Sequence, residues 1–195
     1  MPDDQDNLRI ILALRARIEG TFKAPPVSEI EFIEITGNHG QFRRKLKALG
    51  QTGASDDIEK YIHHVGLCWL RLAFEHLEDA RRSLAANGIR ASFSRSYYAA
   101  YNASKAVRYI VGGAVSLKGE DHSKASSDLP DDFPSVERWS QIVTELYEHR
   151  LRADYDNWVS TSAEHSLTPE AAFRLSEDFV ERCRVYLSAR LGVQL

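Results

Sequence analysis

The sequence predicts an all-α protein, built as an up-and-down bundle of four to five helices with an N-terminal extension. Apolar side chains recur at three- and four-residue steps through most of the chain, and residues that start or stop helices separate the periodic segments. With 195 residues, the chain is long enough to bury roughly 70% of its unfolded surface in one core. We therefore predict two parts, an extension at residues 1–54 and a helical bundle at residues 55–195.

The N-terminal extension combines helical and extended patterns. Apolar residues repeat at helical spacing from Leu8 to Ile18. The segment from Ala24 to Thr36 carries two prolines followed by alternating Ile and Phe, which is typical of a strand or an extended crossing. A further helix is expected from Asn38 to Leu49, because Gly50 is a natural helix stop.

Four helices are predicted in the bundle, at residues 55–87, 90–112, 134–158 and from 168 onward. The first begins at Ser55 or Asp56, which are favourable N-cap residues. The last begins at Thr168, where Thr-Pro-Glu supplies an N-cap, a proline at the first helical position and an acid in the first turn. The connection over residues 112–133 is too long for a simple turn in a compact bundle, so we expect it to be either mobile or functional.

The second bundle helix is rich in tyrosine and has two different sides on a helical wheel of 100° per residue. The side predicted to face the core holds Phe93, Tyr97, Ala99, Ala100, Ala103, Ser104, Ala106, Val107, Ile110 and Val111. The opposite side collects Tyr98, Tyr101, Asn102, Lys105, Arg108 and Tyr109. Tyr and Arg are enriched at protein interfaces and on surfaces that stack bases or pair phosphates. Two interpretations of Tyr98 and Tyr101 stay open: packing within the bundle or a homodimer, or direct contact with a ligand.

The third bundle helix places charged groups where its apolar seam should continue. The seam comprises Val136, Trp139, Val143 and Leu146. The next steps of three and four residues reach Arg150 and then Asp154, which can pair along the helix. Because an unpaired buried charge is costly, a partly buried Arg150 must be compensated. It is either part of an internal ion pair that ties this helix to the tyrosine-rich helix, or a guanidinium kept for phosphate.

The charge balance excludes a globally basic surface. Lys and Arg total 25 against 28 Asp and Glu, a net charge of -3, so any nucleic-acid contact must be local. The basic run at residues 43–47 is interpreted as a solvated helix face or as such a local patch. The acidic start MPDDQDN is unlike a signal peptide, and the longest apolar stretch, Val65–Leu70, is far shorter than the ~20 residues that span a bilayer. We expect a cytoplasmic protein without membrane contact.

No metal or cofactor site is predicted. Cys68 and Cys183 each lie within an apolar helical pattern, which is typical of free, buried thiols. His64 and Cys68 could share a helix face, but two ligands without a second pair do not make a zinc site. The sequence also lacks a Gly-rich phosphate loop, a nucleophile elbow and an Asp-x-Asp motif.

Two segments resemble the HEPN family of small helical-bundle domains found in prokaryotic toxin, defence and nucleotidyltransferase-associated proteins. The first lies in the tyrosine-rich helix and comprises Arg95, Tyr98, Ala99, Ala103 and Ala106. The second resembles R-x-x-x-DY and is matched by Arg150, Asp154 and Tyr155. His122 is similar to a histidine that this branch carries between the two helices. The resemblance covers roughly Asp56 to Leu191.

The resemblance implies a protein of a toxin-antitoxin or antiviral system that binds RNA or a nucleotide, with metal-independent endoribonuclease activity as a homodimer left open. Such cleavage needs a group that takes the 2′-hydroxyl proton and a cation that stabilises the phosphorane, roles that His122 or His149 could share with Arg150 or Arg152. The catalytic candidates are Arg150, His122 and Asp154. The ligand-binding candidates are Arg152, Tyr155, Tyr98, Tyr101, Asn102 and Lys105.

The sequence departs from the ribonucleolytic members in one respect. Those members use an Arg, a polar neighbour and a His four to six residues further on, and no His follows Arg150 or Arg152 at that spacing. Arg71 and His76 fit the spacing, but they lie on the first bundle helix beside apolar Leu72. The alternative is therefore a non-catalytic interaction module that docks a protein partner, a nucleotidyltransferase or a larger defence effector.

Overall fold

The computed structural model describes residues 39–116, 121–156 and 166–195. The helix expected from Leu8 to Ile18 and the extended segment expected from Ala24 to Thr36 lie outside the described residues, as does the predicted end of the third bundle helix. The boundary between an extension at 1–54 and a bundle at 55–195 stays a prediction.

The described residues form an all-helical structure, which confirms the predicted fold class. The helices are α1 (His39–Ala48), α2 (Thr52–Ala85), α3 (Ile89–Val107), α4 (Asp121–Ser127), α5 (Val136–Tyr155) and α6 (Pro169–Leu191). A π-helical turn, Arg108–Gly112, continues α3. Within the described ranges, no helix is both long and apolar enough to cross a membrane.

The ends of the helices follow local chemistry at most positions. Thr168 caps α6 as predicted, because its Oγ1 accepts a hydrogen bond from the Ala171 N–H at 3.1 Å. The start of α2 differs from the prediction: the helix begins one turn earlier, and the N–H of Ser55 already donates to the Gln51 carbonyl at 3.1 Å. Ser55 is therefore a fully buried interior residue rather than a cap.

Helix α1 packs against the bundle through close backbone contact with the end of the π-helical turn. Gly113 has a φ of 84°, and a Cβ at this position would lie 3.3 Å from the backbone of Gly40. Glycine satisfies both the left-handed conformation and the close approach. The ring of His39 is buried against Tyr109, with its Nε2 2.6 Å from the Tyr109 carbonyl oxygen.

Helix α3 is the centre of the bundle and contacts α2, α5 and α6. Its predicted core side is confirmed, since the side chains of Ala99, Ala103, Ala106 and Val107 are fully buried. These small residues let the neighbouring helices approach closely, and larger side chains such as Phe179 of α6 fill the remaining volume.

The opposite side of α3 corrects a sequence prediction. Asn102, Lys105, Arg108 and Tyr109 were placed on the side opposite the core, yet all four are at most 7% exposed. Helix α4, which lies in the predicted long connection, covers part of this side, and Trp69 of α2 packs over Lys105 and Tyr109. The helical wheel correctly grouped these polar residues on one side of α3, but it could not show which helices cover that side.

Candidate functional site

Helices α3, α4 and α5 bring several of the predicted site residues together, with Arg150, Tyr98 and His122 at the centre. Arg150 of α5 and His122 of α4 both neighbour the ring of Tyr98 on α3. We call Arg150, Tyr98 and His122, with the aromatic rings that contact them, the Arg150 site. The long connection therefore contributes to this site through α4.

Tyr98, Asp154 and Tyr155 contact the Arg150 guanidinium, and one of its terminal nitrogens remains available to a ligand. Its Nη2 donates to the Tyr98 hydroxyl at 2.7 Å, and its Nε lies 2.7 Å from Oδ2 of Asp154 in an ion pair that lacks hydrogen-bond alignment. The guanidinium carbon lies 5.4 Å from the Tyr98 ring centre and 5.3 Å from that of Tyr155. Nη1 bonds to no described residue.

Arg150 and Asp154 pair along α5, as their spacing allows, and each also bonds to α3. Ser94 of α3 donates a hydrogen bond to Oδ1 of Asp154, while Arg150 reaches Tyr98 on the same helix. The Asp154 side chain is 27% exposed and that of Arg150 is 11% exposed. Water therefore screens the carboxylate, which neutralises Arg150 only in part.

His122 lies among tyrosine rings. Its Nδ1 is 2.8 Å from the Tyr97 hydroxyl, and its ring stacks on Tyr101 with centres 4.5 Å apart. Burial, followed by the charge of Arg150, holds the pKa of His122 below its ordinary value. Near neutral pH the ring is therefore uncharged. When Nδ1 donates to Tyr97, the other nitrogen, Nε2, presents a lone pair and bonds to no described residue.

A buried charge cluster fixes the residue immediately before His122. Asp121 accepts two hydrogen bonds from Arg108, both at 2.9 Å, one from the Tyr101 hydroxyl at 2.9 Å and one from the Ser116 N–H at 3.1 Å. Lys105 Nζ lies 3.9 Å from the same carboxylate. These contacts hold the first turn of α4 against α3 and thus set the position of His122.

Burial alone would raise the pKa of Asp121, but the hydrogen bonds and charge of Arg108 outweigh it and hold that pKa below its ordinary value. The carboxylate is therefore ionised, and burial together with this charge raises the pKa of the Tyr101 hydroxyl. Tyr101 thus remains a neutral phenol that donates to Asp121.

The other predicted ligand-binding residues have different environments. Tyr155 is 72% exposed and stacks on Arg150 at the rim of the site, and the Arg152 side chain is exposed on the same helix. Asn102 and Lys105 are buried instead: the Asn102 amide donates to the Tyr98 carbonyl at 2.8 Å, and Lys105 belongs to the charge cluster. Neither reaches the surface as a ligand contact would require.

His149, the alternative partner for an arginine, lies away from the Arg150 site. It is 2% exposed, stacks on Phe93 with ring centres 5.1 Å apart and bonds to Ser166 at 3.0 Å. Its position on the helix explains the separation, because a residue adjacent to Arg150 points about 100° away from it.

Sequence reasoning missed several residues that contact the site. Tyr97 was assigned only to the core, yet its hydroxyl reaches His122 from a fully buried ring. His76 of α2 also neighbours Tyr98, with ring centres 5.7 Å apart. Arg71, which precedes His76 at the Arg-to-His spacing of the ribonucleolytic members, pairs with Glu75 at 3.4 Å instead. The spacing of Arg71 and His76 therefore does not reflect a joint site.

Metal ligation has little support in the described part of the chain. No group of three or more His, Cys, Asp or Glu side chains could hold a metal ion there. Cys68 Sγ lies 4.0 Å from His64 Nε2, a contact within one helix face. Cys183 is fully buried, and burial raises the pKa of its thiol well above the ordinary value.

Comparison with known proteins identifies the family of this chain. A family model described as HEPN domain matches residues 67–186, which is more than half of the chain and includes Arg150, Tyr98 and His122. No curated protein and no solved structure matched the chain. The sequence resemblance, the all-helical bundle and the family match agree. The chain belongs to the HEPN domain family.

Proposed function

We propose that this protein binds RNA through the Arg150 site and cleaves it without a metal ion. The proposal rests chiefly on one observation: Arg150 is nine-tenths buried between two tyrosine rings and keeps Nη1 unbonded within the described residues, next to a neutral histidine. A purely structural arginine in such a position would be expected to use both terminal nitrogens, as Arg108 does on Asp121.

The chemistry of each group suits attack by a ribose 2′-hydroxyl on the adjacent phosphate. His122 Nε2 takes the proton of that hydroxyl as the new O–P bond forms. The Arg150 guanidinium donates to the phosphate oxygens, which become more negative in the phosphorane. The P–O5′ bond then breaks, and the leaving oxygen is protonated by solvent, which gives a 2′,3′-cyclic phosphate and a 5′-hydroxyl.

Two tyrosines support this arrangement without taking part in bond making. Tyr98 holds Arg150 through its hydroxyl, and Tyr155 offers an exposed ring on which a base can stack. Asp154 keeps the guanidinium oriented. The family match also supports, as part of this proposal, a role as a homodimer in a toxin-antitoxin or antiviral system.

The test is incubation of the purified protein with a mixed RNA pool in the presence of a chelator. Wild type is compared with Arg150→Ala, His122→Ala and the control His149→Gln, which changes a histidine outside the site. We expect cleavage by the wild type and the control and none by the two site variants, with all four proteins folded by circular dichroism. Sedimentation of the same samples tests the dimer.

A folded wild type that leaves every RNA intact would refute the proposed nuclease activity. Equal cleavage by wild type and Arg150→Ala would refute this site. The pH profile is a further check, because a neutral His122 with a lowered pKa predicts activity that falls only when the pH drops below the ordinary histidine value of about 6.5.

A second candidate function is a non-catalytic interaction module. It is favoured by the pairing of Arg150 with Asp154 and by the exposure of Phe42 on α1, 37%, and of Leu49 in the turn just after α1, 74%. Exposed apolar side chains at one end of the bundle sequence suit a protein partner, and a nucleotidyltransferase or a larger defence effector is the partner class proposed here. Co-purification with the product of an adjacent nucleotidyltransferase gene, lost in Leu49→Asp, would support it.

A further inference from the structure

An uncompensated arginine lies one turn before Tyr98 on α3. The Arg95 side chain is exposed, and within the described residues no carboxylate lies at ion-pair distance from it. By contrast, Arg81 and Arg82 near the end of α2 both pair with Glu78. Residues three apart share a helix face, so Arg95 and Tyr98 point to the same side of α3.

The contact of Arg95 is a histidine, and this contact selects the tautomer of that histidine. Arg95 Nη1 lies 3.4 Å from His76 Nδ1. Because a guanidinium only donates, Nδ1 must accept, and the ring proton resides on Nε2. Burial, followed by the Arg95 charge, lowers the pKa of His76, which keeps the ring neutral near pH 7. His76 therefore presents an N–H donor.

The Arg95–His76 pair and Arg150 lie around the same tyrosine ring. The Tyr98 ring centre is 5.7 Å from that of His76 and 5.4 Å from the guanidinium carbon of Arg150. Arg95 forms no ion pair within the described residues, and Arg150 keeps Nη1 unbonded there. Both places therefore have N–H donors that suit a phosphate group, since a phosphate diester only accepts. The two donor sets are close enough for neighbouring phosphates of one strand.

We propose that Arg95 and His76 form a second phosphate subsite, so that the ligand of this protein is an oligonucleotide strand of at least two phosphates rather than a mononucleotide. The inference rests on the proposed function of the Arg150 site and specifies its substrate class. A strand bound in this way passes over Tyr98, with one phosphate at Arg150 and the next at Arg95 and His76.

The test measures equilibrium binding with two probes. One is a fluorescently labelled hexanucleotide of 2′-O-methyl RNA, which has no free 2′-hydroxyl and cannot be cleaved. The other is adenosine 5′-monophosphate, followed by calorimetry. The variants are Arg95→Ala, His76→Ala, His76→Gln and Arg150→Ala. Arg182→Ala is the matched control, because it removes one exposed arginine from α6.

We expect Arg95→Ala to weaken hexanucleotide binding about tenfold, as befits one charge-assisted contact. The slope of log affinity against log salt should fall in magnitude by about 0.7, the value for one phosphate contact on a single strand. Binding of the monophosphate should not change. His76→Ala should weaken the hexanucleotide as well, whereas His76→Gln, which keeps an N–H donor, should restore much of the affinity.

The outcomes separate the subsite from the Arg150 site. Hexanucleotide binding by Arg95→Ala equal to that of Arg182→Ala overturns the subsite, even if Arg150→Ala abolishes binding of both probes. Unchanged binding of both probes by Arg150→Ala overturns the proposed function instead. A folded wild type that binds neither probe overturns both.

Discussion

Replacement of Asp121 by asparagine should destabilise the protein more than any other single substitution in the buried charge cluster. The carboxylate is fully buried and accepts four hydrogen bonds, two of them from Arg108, which is 2% exposed. An asparagine of the same shape would leave Arg108 and Lys105 as buried cations without a negative partner.

The magnitude follows from that loss of charge compensation. Breaking a buried ion pair by removing one partner costs about 3–5 kcal/mol, a large share of the about 5–15 kcal/mol that stabilises a typical domain. The double variant Arg108→Met, Asp121→Asn removes the Arg108 cation together with the carboxylate, so that only Lys105 is left without its partner. The double variant should therefore be less destabilised than the sum of the two single variants.

The ion pair of Asp121 with Arg108 also predicts that the free energy of unfolding depends on pH. Because the pKa of Asp121 is lower in the folded protein than in the unfolded chain, the ionised form stabilises the fold. This contribution is complete above the unfolded value of about 3.9 and is lost as the pH falls through the folded value. The stability difference between wild type and Asp121→Asn should thus shrink as the pH drops below about 4.

Urea unfolding at several pH values measures these differences. Asp128→Asn is the control, because Asp128 is an exposed aspartate just after α4, and it should change stability by less than about 0.5 kcal/mol. A loss of under about 1 kcal/mol in Asp121→Asn at neutral pH would refute the reasoning, since it would mean that the cluster tolerates two unpaired buried cations.

Three further predictions use other parts of the bundle. Gly66→Ala should cost about 1–3 kcal/mol in chemical unfolding, because its Cβ would lie 2.5 Å from Cδ1 of Ile110, whereas Gly53→Ala, with nothing within 4 Å, should be neutral or stabilising. Burial lowers the pKa of His39, so protonation opposes its burial, and the protection factors of α1 amides, which correct for the intrinsic pH dependence of exchange, should be smaller at about pH 5 than at about pH 8. Arg150→Ala should lower the free energy of unfolding by only about 1–2 kcal/mol, measured by thermal unfolding, because one hydrogen bond disappears and the Asp154 carboxylate stays in contact with water.

The sequence was sufficient for the parts of the fold that depend on periodicity. The alanine side of α3 and the Thr168 cap could be predicted because each follows from residues close together on one helix. The pair of Arg150 with Asp154 could be predicted for the same reason, since residues four apart on a helix are neighbours. These features need no knowledge of what packs against the helix.

The burial of Lys105 and Arg108 could not be predicted, because its cause lies elsewhere in the chain. Asp121 belongs to a seven-residue helix, α4, that is too short to give a clear periodic pattern. Without α4, a polar helix side appears open to solvent. The neighbourhood of His76 and Tyr98 was missed for a related reason, since it depends on how α2 crosses α3.

Arg108 and Arg150 are both largely shielded from water, with side chains 2% and 11% exposed, but they are bonded differently. Arg108 uses both terminal nitrogens on Asp121 and its Nε on Ser104 at 3.2 Å, so its charge is compensated within the fold. Arg150 uses one terminal nitrogen on a neutral hydroxyl and pairs with a carboxylate that water also reaches. Arg150 keeps Nη1 unbonded in the described structure and can still gain free energy from an anion, whereas the charge of Arg108 is already matched by the buried Asp121 carboxylate. This difference supports the proposal that Arg150 contacts the ligand, while Arg108 holds α4 in place.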